Sequence, residues 1–253
     1  MTILLMALFS VFLGSFYNVC IHRAMSGESI VYPPSHCPEC RHPLAPLDLI
    51  PILSYIFLLG KCRYCKAKIS IRYPIIELIT AVLVLLLYNA YGLTWQFVSY
   101  TFLTGLLIII SFIDIEQQFI PNKLVVIGFI FGVLFSLAGF TTQFWNAILG
   151  LISGAGSLLI IGLVSLLVLR KEGMGGGDIK LLGVIGLFLG WKLTLLTLFV
   201  SIYIGGIFSI FLLLLGIKNK GEYIAFGPFI SLASLIALLW GRDIIQWYVV
   251  SFL

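Results

Sequence analysis

Two aspartates and two pairs of cysteines are the residues of this chain whose types and spacing could do chemistry. Asp114 closes an apolar run, Ile109-Ile-Ser-Phe-Ile-Asp-Ile-Glu116, and Asp178 follows Gly173-Met-Gly-Gly-Gly177. Two carboxylates brought together cannot both ionise, so the pair shares a proton. The charged member then takes a proton from water while the protonated one donates to a scissile carbonyl, which is the chemistry of peptide hydrolysis. Gly175 and Gly177 support such a site, because glycine adopts backbone angles other residues avoid and lets a substrate strand come close. Lys180 lies two residues beyond Asp178, where it either tunes the charge of the site or snorkels to the surface. Singly, Asp114 also reads as a helix-end residue bonded to its loop, and Asp178 as a helix N-cap. Their shared sidedness, argued below, favours a site. A Gly-rich turn opening a helix can also cradle phosphate, but an acid at the helix start repels it and no Walker-type GK[ST] follows. Glu116 points elsewhere on a helix and reads as interfacial.

The pairs Cys37-Pro-Glu-Cys40 and Cys62-Arg-Tyr-Cys65 are separated by 21 residues. Two CxxC knuckles at such a distance supply four thiolates to one tetrahedral Zn²⁺. Two disulfides are the competing reading, disfavoured if the segment faces a reducing cytosol. A Cys₄ site leaves no open coordination position, so the expected metal is structural. His36 and His42 could substitute as ligands, but read more simply as solvated loop residues; Cys20 reads as a small apolar residue.

The elements that must position these groups are membrane helices. The chain has 253 residues, 61% hydrophobic and 10% charged, against about 45–50% apolar and about 25% charged in soluble domains. Apolar runs of spanning type occur at Thr2–Ile21, Pro74–Ala90, Trp95–Ile113, Asn122–Phe140, Trp145–Leu169, Ile179–Leu189, Thr194–Ile217 and Ile224–Trp240. The sixth is short, and either extends or lies inside the bundle. The last could continue beyond Arg242 and Asp243 only if these find a polar environment. The first run lacks the basic start of a signal peptide and reads as a retained helix. Thirteen of the 15 basic residues fall in or beside four alternating connections, leaving only Lys192 and Arg242 elsewhere. Basic loops stay cytoplasmic, so the expected fold is all-α with about eight transmembrane helices, the N-terminus outside, and both aspartates at cytoplasmic helix ends. Topology thus accounts for the net charge of +5 without a nucleic-acid partner; the partner environment is lipid. The expected division is a first helix (1–22), a cytoplasmic zinc-binding loop (23–73) and a transmembrane core (74–253). The loop holds six prolines and four of the five cysteines, and its apolar stretch Leu49–Gly60 is too short to span.

These motifs together resemble the bacterial type IV prepilin peptidases. Gly14-Ser-Phe-Tyr-Asn-Val19 with Arg23 is similar to the family's N-terminal motif, and the CxxC pairs to its zinc knuckles. Gly60-Lys-Cys62, Ile69-Ser-Ile-Arg-Tyr-Pro74 and Glu77 resemble the segment around the second pair. Asp114 with Ile120-Pro-Asn122, Gly175-Gly-Gly-Asp178-Ile-Lys180, and Phe226-Gly-Pro-Phe229 resemble the two catalytic motifs and the C-terminal motif. The resemblance covers nearly the whole chain. It implies catalysis by Asp114 and Asp178 on the cytoplasmic side of the bacterial inner membrane. The substrates implied are prepilins or pseudopilins with a short basic leader, cut before an apolar helix. It also implies N-methylation of the new N-terminus from S-adenosylmethionine, with Gly14, Asn18 and Glu77 as candidate cofactor residues. No Gly-rich Rossmann fingerprint is present. Ala24 and Ala225 stand where the family often has proline, and Tyr55 where it often has tryptophan.

Two other readings compete. A presenilin-type protease would carry a Tyr-Asp pair where this chain has Ile113-Asp114, and the cysteine loop argues against it. A transporter using the aspartates as ion ligands would place acids near mid-membrane, whereas here they cluster at helix ends.

Overall fold

Every one of the eight apolar runs folds as a helix in the computed structural model, which describes residues 2–170, 175–217 and 224–252. Lys171, Gly173, Met174, Lys218 and Lys220 of the sequence argument lie outside these. The long helices are α1 (Thr2–Ser26), α3 (Arg72–Tyr91), α4 (Trp95–Gln117), α5 (Asn122–Leu137), α6 (Phe144–Leu169), α7 (Gly176–Leu189), α8 (Trp191–Leu214) and α9 (Gly227–Phe252). A short helix, α2 (Leu53–Phe57), and a 3-10 turn at Pro46–Leu49 lie in the long connection. Among the described residues there is no β-strand, only two isolated bridges. Six helices, α1, α3, α4, α6, α8 and α9, are long and apolar enough to cross a bilayer. The chain is an all-helical, multi-pass membrane protein.

The chain divides into two compact units, Met1–Leu93 and Thr94–Leu253. In the first, α1 packs on α3. The crossing point is Gly14, where a Cβ would lie 2.7 Å from Glu77 Cα and 3.1 Å from Thr80 Cβ. Only glycine lets the backbones come that close. Helix α1 runs five residues past the expected Ile21, carrying a buried Arg23. The Arg23 guanidinium donates to the carbonyls of Ser29 (2.7 Å), Ile30 (2.7 Å) and Pro33, gathering the chain that leaves the helix.

In the second unit the central element is α7, whose residues Leu181 to Leu189 are all buried. It was the short sixth run of the sequence, and it both extends by one turn to Gly176 and lies inside the unit. Helix α6 is packed against it glycine to glycine. A methyl group on Gly150 or Gly186 would overlap the other's carbonyl, and one on Gly154 would stand 2.6 Å from the Leu182 carbonyl oxygen. Helix α5 uses Gly128 and Gly132 in the same way against Val184, Leu187 and Phe188. The outward faces of α5, α6 and α8 remain apolar, with Val126, Ile160, Leu167, Phe199 and Leu214 all exposed, as lipid contact requires. Helix α9 does not stop at Trp240 but continues to Phe252; Arg242 and Asp243 are both exposed on it.

Candidate active site

Asp114 sits in the last turn of α4, which ends when Gln118 turns left-handed (φ 52°) and its N–H donates to the Asp114 carbonyl at 2.8 Å. The Asp114 side chain is 2% exposed. Its Oδ2 accepts the backbone N–H of Gly227, the first residue of α9, at 3.0 Å. A buried carboxylate needs such a donor. The amide comes with the positive end of a helix dipole, which favours negative charge. Gly227 has no alternative side chain here: a Cβ would lie 2.6 Å from that oxygen.

Asp178 is the third residue of α7 and is 3% exposed. Its N–H closes the first turn onto the Gly175 carbonyl at 3.1 Å. It too therefore stands at a helix N-terminus. Ile120, itself buried, lies against the first turn of α7 and the start of α9. A Cβ on Gly177 would meet Ile120 Cβ at 2.9 Å, and one on Gly227 would meet Ile120 Cδ1 at 3.4 Å. Gly177 is thus required for close approach rather than for backbone freedom, and Gly175 has an ordinary φ of −70°. Lys180, exposed, donates to Asn122 Oδ1 at 2.9 Å and so ties α7 to the first residue of α5. Asp114, Asp178, Gly175, Gly177 and Lys180 lie in one unit, and Ile120 and Gly227 join them. The Gly227 amide is the partner that reading the sequence had missed; its signal was the Phe226-Gly-Pro-Phe229 motif, which the sequence reading quoted but assigned no role.

The four cysteines come together in the first unit. Their sulfurs all lie within 4.8 Å of one another, and Cys37 Sγ and Cys65 Sγ are 3.8 Å apart. Four thiolates around one Zn²⁺, each about 2.3 Å from it, would be about 3.8 Å apart, so the donor set fits that ion. All four are free thiols, so neither disulfide forms. The knuckles are built alike. Cys37 N–H donates to the His42 carbonyl and Arg41 N–H to the Cys37 carbonyl; Cys62 N–H donates to the Ala67 carbonyl and Lys66 N–H to the Cys62 carbonyl. Arg41 (φ 56°) and Lys66 (φ 62°) occupy the matching left-handed positions. The backbone amides of Cys65 and then Tyr64 pull the Cys62 thiol down to about 7, whereas Cys65, though it accepts the Ala67 amide, is pushed up to about 11 by desolvation and the other three sulfurs. His42 stacks on Tyr64 with ring centroids 3.6 Å apart, and His36 bonds the Pro34 carbonyl. Neither belongs to the sulfur cluster.

Gly14, Asn18 and Glu77 also share this unit. Asn18 Nδ2 donates to the Tyr73 carbonyl at 3.0 Å, and Glu77 Oε2 accepts the Ile52 N–H at 2.7 Å. Ile52 (φ 60°, ψ −52°) is the centre of a three-residue turn closed by Leu53 N–H on the Pro51 carbonyl, a strained shape for a β-branched residue. These groups brace the connection against α1 and α3, and Asn18 Oδ1 alone among them is buried without a partner. They do not by themselves form a cradle for S-adenosylmethionine, and no methyl-transfer step is derived from them.

The two units coincide with two family matches. Residues 8–91 match the bacterial peptidase A24 N-terminal domain, and residues 101–210 match the type IV leader peptidase family. The chain belongs to the type IV leader peptidase family. It is a peptidase, and both aspartates lie in the family's peptidase segment, whereas the cysteines and Asn18 lie in its N-terminal domain. A prepilin leader peptidase/N-methyltransferase of Aeromonas hydrophila is 36% identical, over 98% of this chain and 94% of its own length. Proteins of the same name from Pseudomonas aeruginosa and Bacillus subtilis are each 36% identical, over 95% and 96% of this chain and 91% and 96% of theirs. No solved structure matches the chain.

Proposed function

We propose that the chain cleaves the leader of type IV prepilins or pseudopilins with Asp114 and Asp178 as its catalytic dyad. The observation that carries this reading is a pair of buried carboxylates in one unit, Asp178 in the first turn of α7 and Asp114 bonded to the first amide of α9. The dyad shares one proton. The ionised carboxylate draws a proton from the attacking water, and the protonated one donates to the carbonyl oxygen of the scissile bond. The Gly227 amide holds Asp114 in place, Gly177 leaves room beside Ile120, and Lys180 anchors the start of α7 through Asn122.

The remaining parts of the reading follow from charge and from the relatives' names. All eight long helices span the bacterial cytoplasmic membrane, with the N-terminus outside and the dyad at the cytoplasmic face. That orientation is supported by the basic residues of alternate connections. A leader kept in the cytoplasm by its positive charge then presents its junction with the pilin helix at the depth of the dyad. The domains are the first helix (1–22), the zinc loop (23–73) and the core (74–253). Cys37, Cys40, Cys62 and Cys65 hold a structural Zn²⁺ that orders the loop. Methylation of the new N-terminus from S-adenosylmethionine follows cleavage; this rests on the name of the relatives, with Gly14, Asn18 and Glu77 kept as candidate positions.

The test is cleavage of a purified prepilin by the protein in detergent. Asp114→Asn and Asp178→Asn are each expected to slow cleavage by roughly 10³-fold or more while leaving the thermal unfolding profile, which reports folding, unchanged. Cleavage at the parent rate by either variant would remove that residue from the dyad. A gain of one methyl group on the product, seen by mass spectrometry only with S-adenosylmethionine present, checks the second activity.

A further inference from the structure

The only two basic residues outside the four basic connections of the sequence, Lys192 and Arg242, line the same cavity. It has a volume of about 630 Å³ and belongs wholly to the second unit. Its floor includes Leu189, the last residue of α7. Asp178 is in the first turn of that helix, so the cavity lies at the end of the unit away from the dyad, about 16 Å along the axis.

Two cations converging in one hollow repel unless an anion lies between them. Among the described residues neither Lys192 nor Arg242 makes an ion pair. Asp243 follows Arg242 but is not part of the lining. Lys192 Nζ rests 5.6 Å from the centre of the Trp191 ring. Thr141 Oγ1, also in the lining, is buried without a hydrogen-bond partner. Helix α6 begins at Phe144 and α8 at Trp191, so two positive helix ends meet here against the one negative end of α7 at Leu189. The rest of the wall is mixed: polar Thr142, Asn146 and Gln246 beside apolar Leu193, Ile245 and Val249.

We propose that this cavity binds the phosphate of an anionic phospholipid. Lys192 and Arg242 take the phosphodiester charge, and Thr141 supplies a hydroxyl to the head group. The acyl chains leave over Leu193, Ile245 and Val249. A free phosphate would satisfy the cations and the polar side chains but would leave Leu193, Ile245 and Val249 uncovered. Trp191 and Tyr100 in the lining suit the head-group level of a bilayer. The proposal rests on the eight-span reading in one respect: that orientation puts the lipid in the outer leaflet. It also explains how α9 passes Arg242 without breaking, since the cavity is the polar environment that residue needs.

The experiment is native mass spectrometry of the full-length protein with phosphatidylglycerol, alongside a Lys192→Gln/Arg242→Gln variant. The parent is expected to retain one more phosphatidylglycerol than the variant, and to keep it in millimolar inorganic phosphate. Both should cleave prepilin in detergent, which reports a folded core. Equal lipid retention by the two proteins overturns the proposal. Displacement of the extra lipid by inorganic phosphate would make the ligand a free anion and overturn the lipid assignment. Labelling of Lys192→Cys in intact cells by a membrane-impermeant maleimide, above the parent background, checks the leaflet. No labelling, with the lipid difference intact, would reverse the orientation and leave the lipid site standing.

Discussion

The Asp114 carboxylate has almost no freedom. One oxygen is held by the Gly227 amide, and the missing side chain of Gly227 is the space that oxygen occupies. Gly227→Ala would push a methyl group to 2.6 Å from Oδ2, which the carboxylate can relieve only by turning away. Misplacement of a catalytic group by about 1 Å costs on the order of 10²-fold in rate. Gly227→Ala is therefore expected to lower kcat by one to two orders of magnitude (roughly 10–100-fold) with little change in KM. Gly176→Ala, where nothing lies within 4 Å of the added atom, is the matched control and should stay near the parent. If the two alanine variants behave alike, the Gly227 amide does not position Asp114. Asp114 and Asp178 were legible in the sequence because acids beside apolar runs are rare and costly. The Gly227 contact was not, because it joins residues 113 positions apart and no local pattern encodes a bond of that range.

At the scale of elements, composition was the strongest signal. A lipid-facing helix must be apolar along its whole length, so α1, α3, α4, α6 and α8 announced themselves, within a few residues at each end. What stayed open was at ends set by tertiary context. Helix α9 could stop before Arg242 or continue past both charges, and it continues. Helix α7, short as a run, was expected either to extend or to lie inside the bundle, and it does both; its burial depends on the glycines of α6, which are unremarkable in sequence. Gly150→Leu should force α6 and α7 apart. Overpacking of this kind costs typically 1–3 kcal/mol, so the variant should inactivate at lower temperature than the parent, and an unchanged profile would contradict the packing. The cysteine knuckles were fully legible, since ligand spacing is local. A Cys37→Ser/Cys40→Ser variant is expected to lose its zinc, from one per chain to none, and the loop should then be cut faster by protease. Equal metal content by elemental analysis would end the zinc assignment.

The molecule as a whole is built from two units that match two separate family segments. The cysteine cluster and the two aspartates therefore sit in different units, and loss of the proposed metal is expected to affect the first before the second. Helix α5 belongs to the second, and its dimensions carry a further consequence. It has 16 residues, an axial length of about 24 Å, against a hydrocarbon core about 30 Å thick. Unlike α7, it is not shielded: Val126, Ile130, Leu134 and Leu137 are exposed along it. On the eight-span reading, lipid beside α5 meets a hydrophobic mismatch, which a bilayer relieves by thinning at fractions of a kcal/mol per Å. Asn122 opens α5 and holds Lys180 two residues from Asp178, so the thinned zone lies next to the dyad. Head groups and water are drawn down to where the leader junction must be cut. Cleavage in nanodiscs of dimyristoyl lipids should then outpace cleavage in long-chain dierucoyl lipids, and the thickness of the membrane becomes a variable of the reaction.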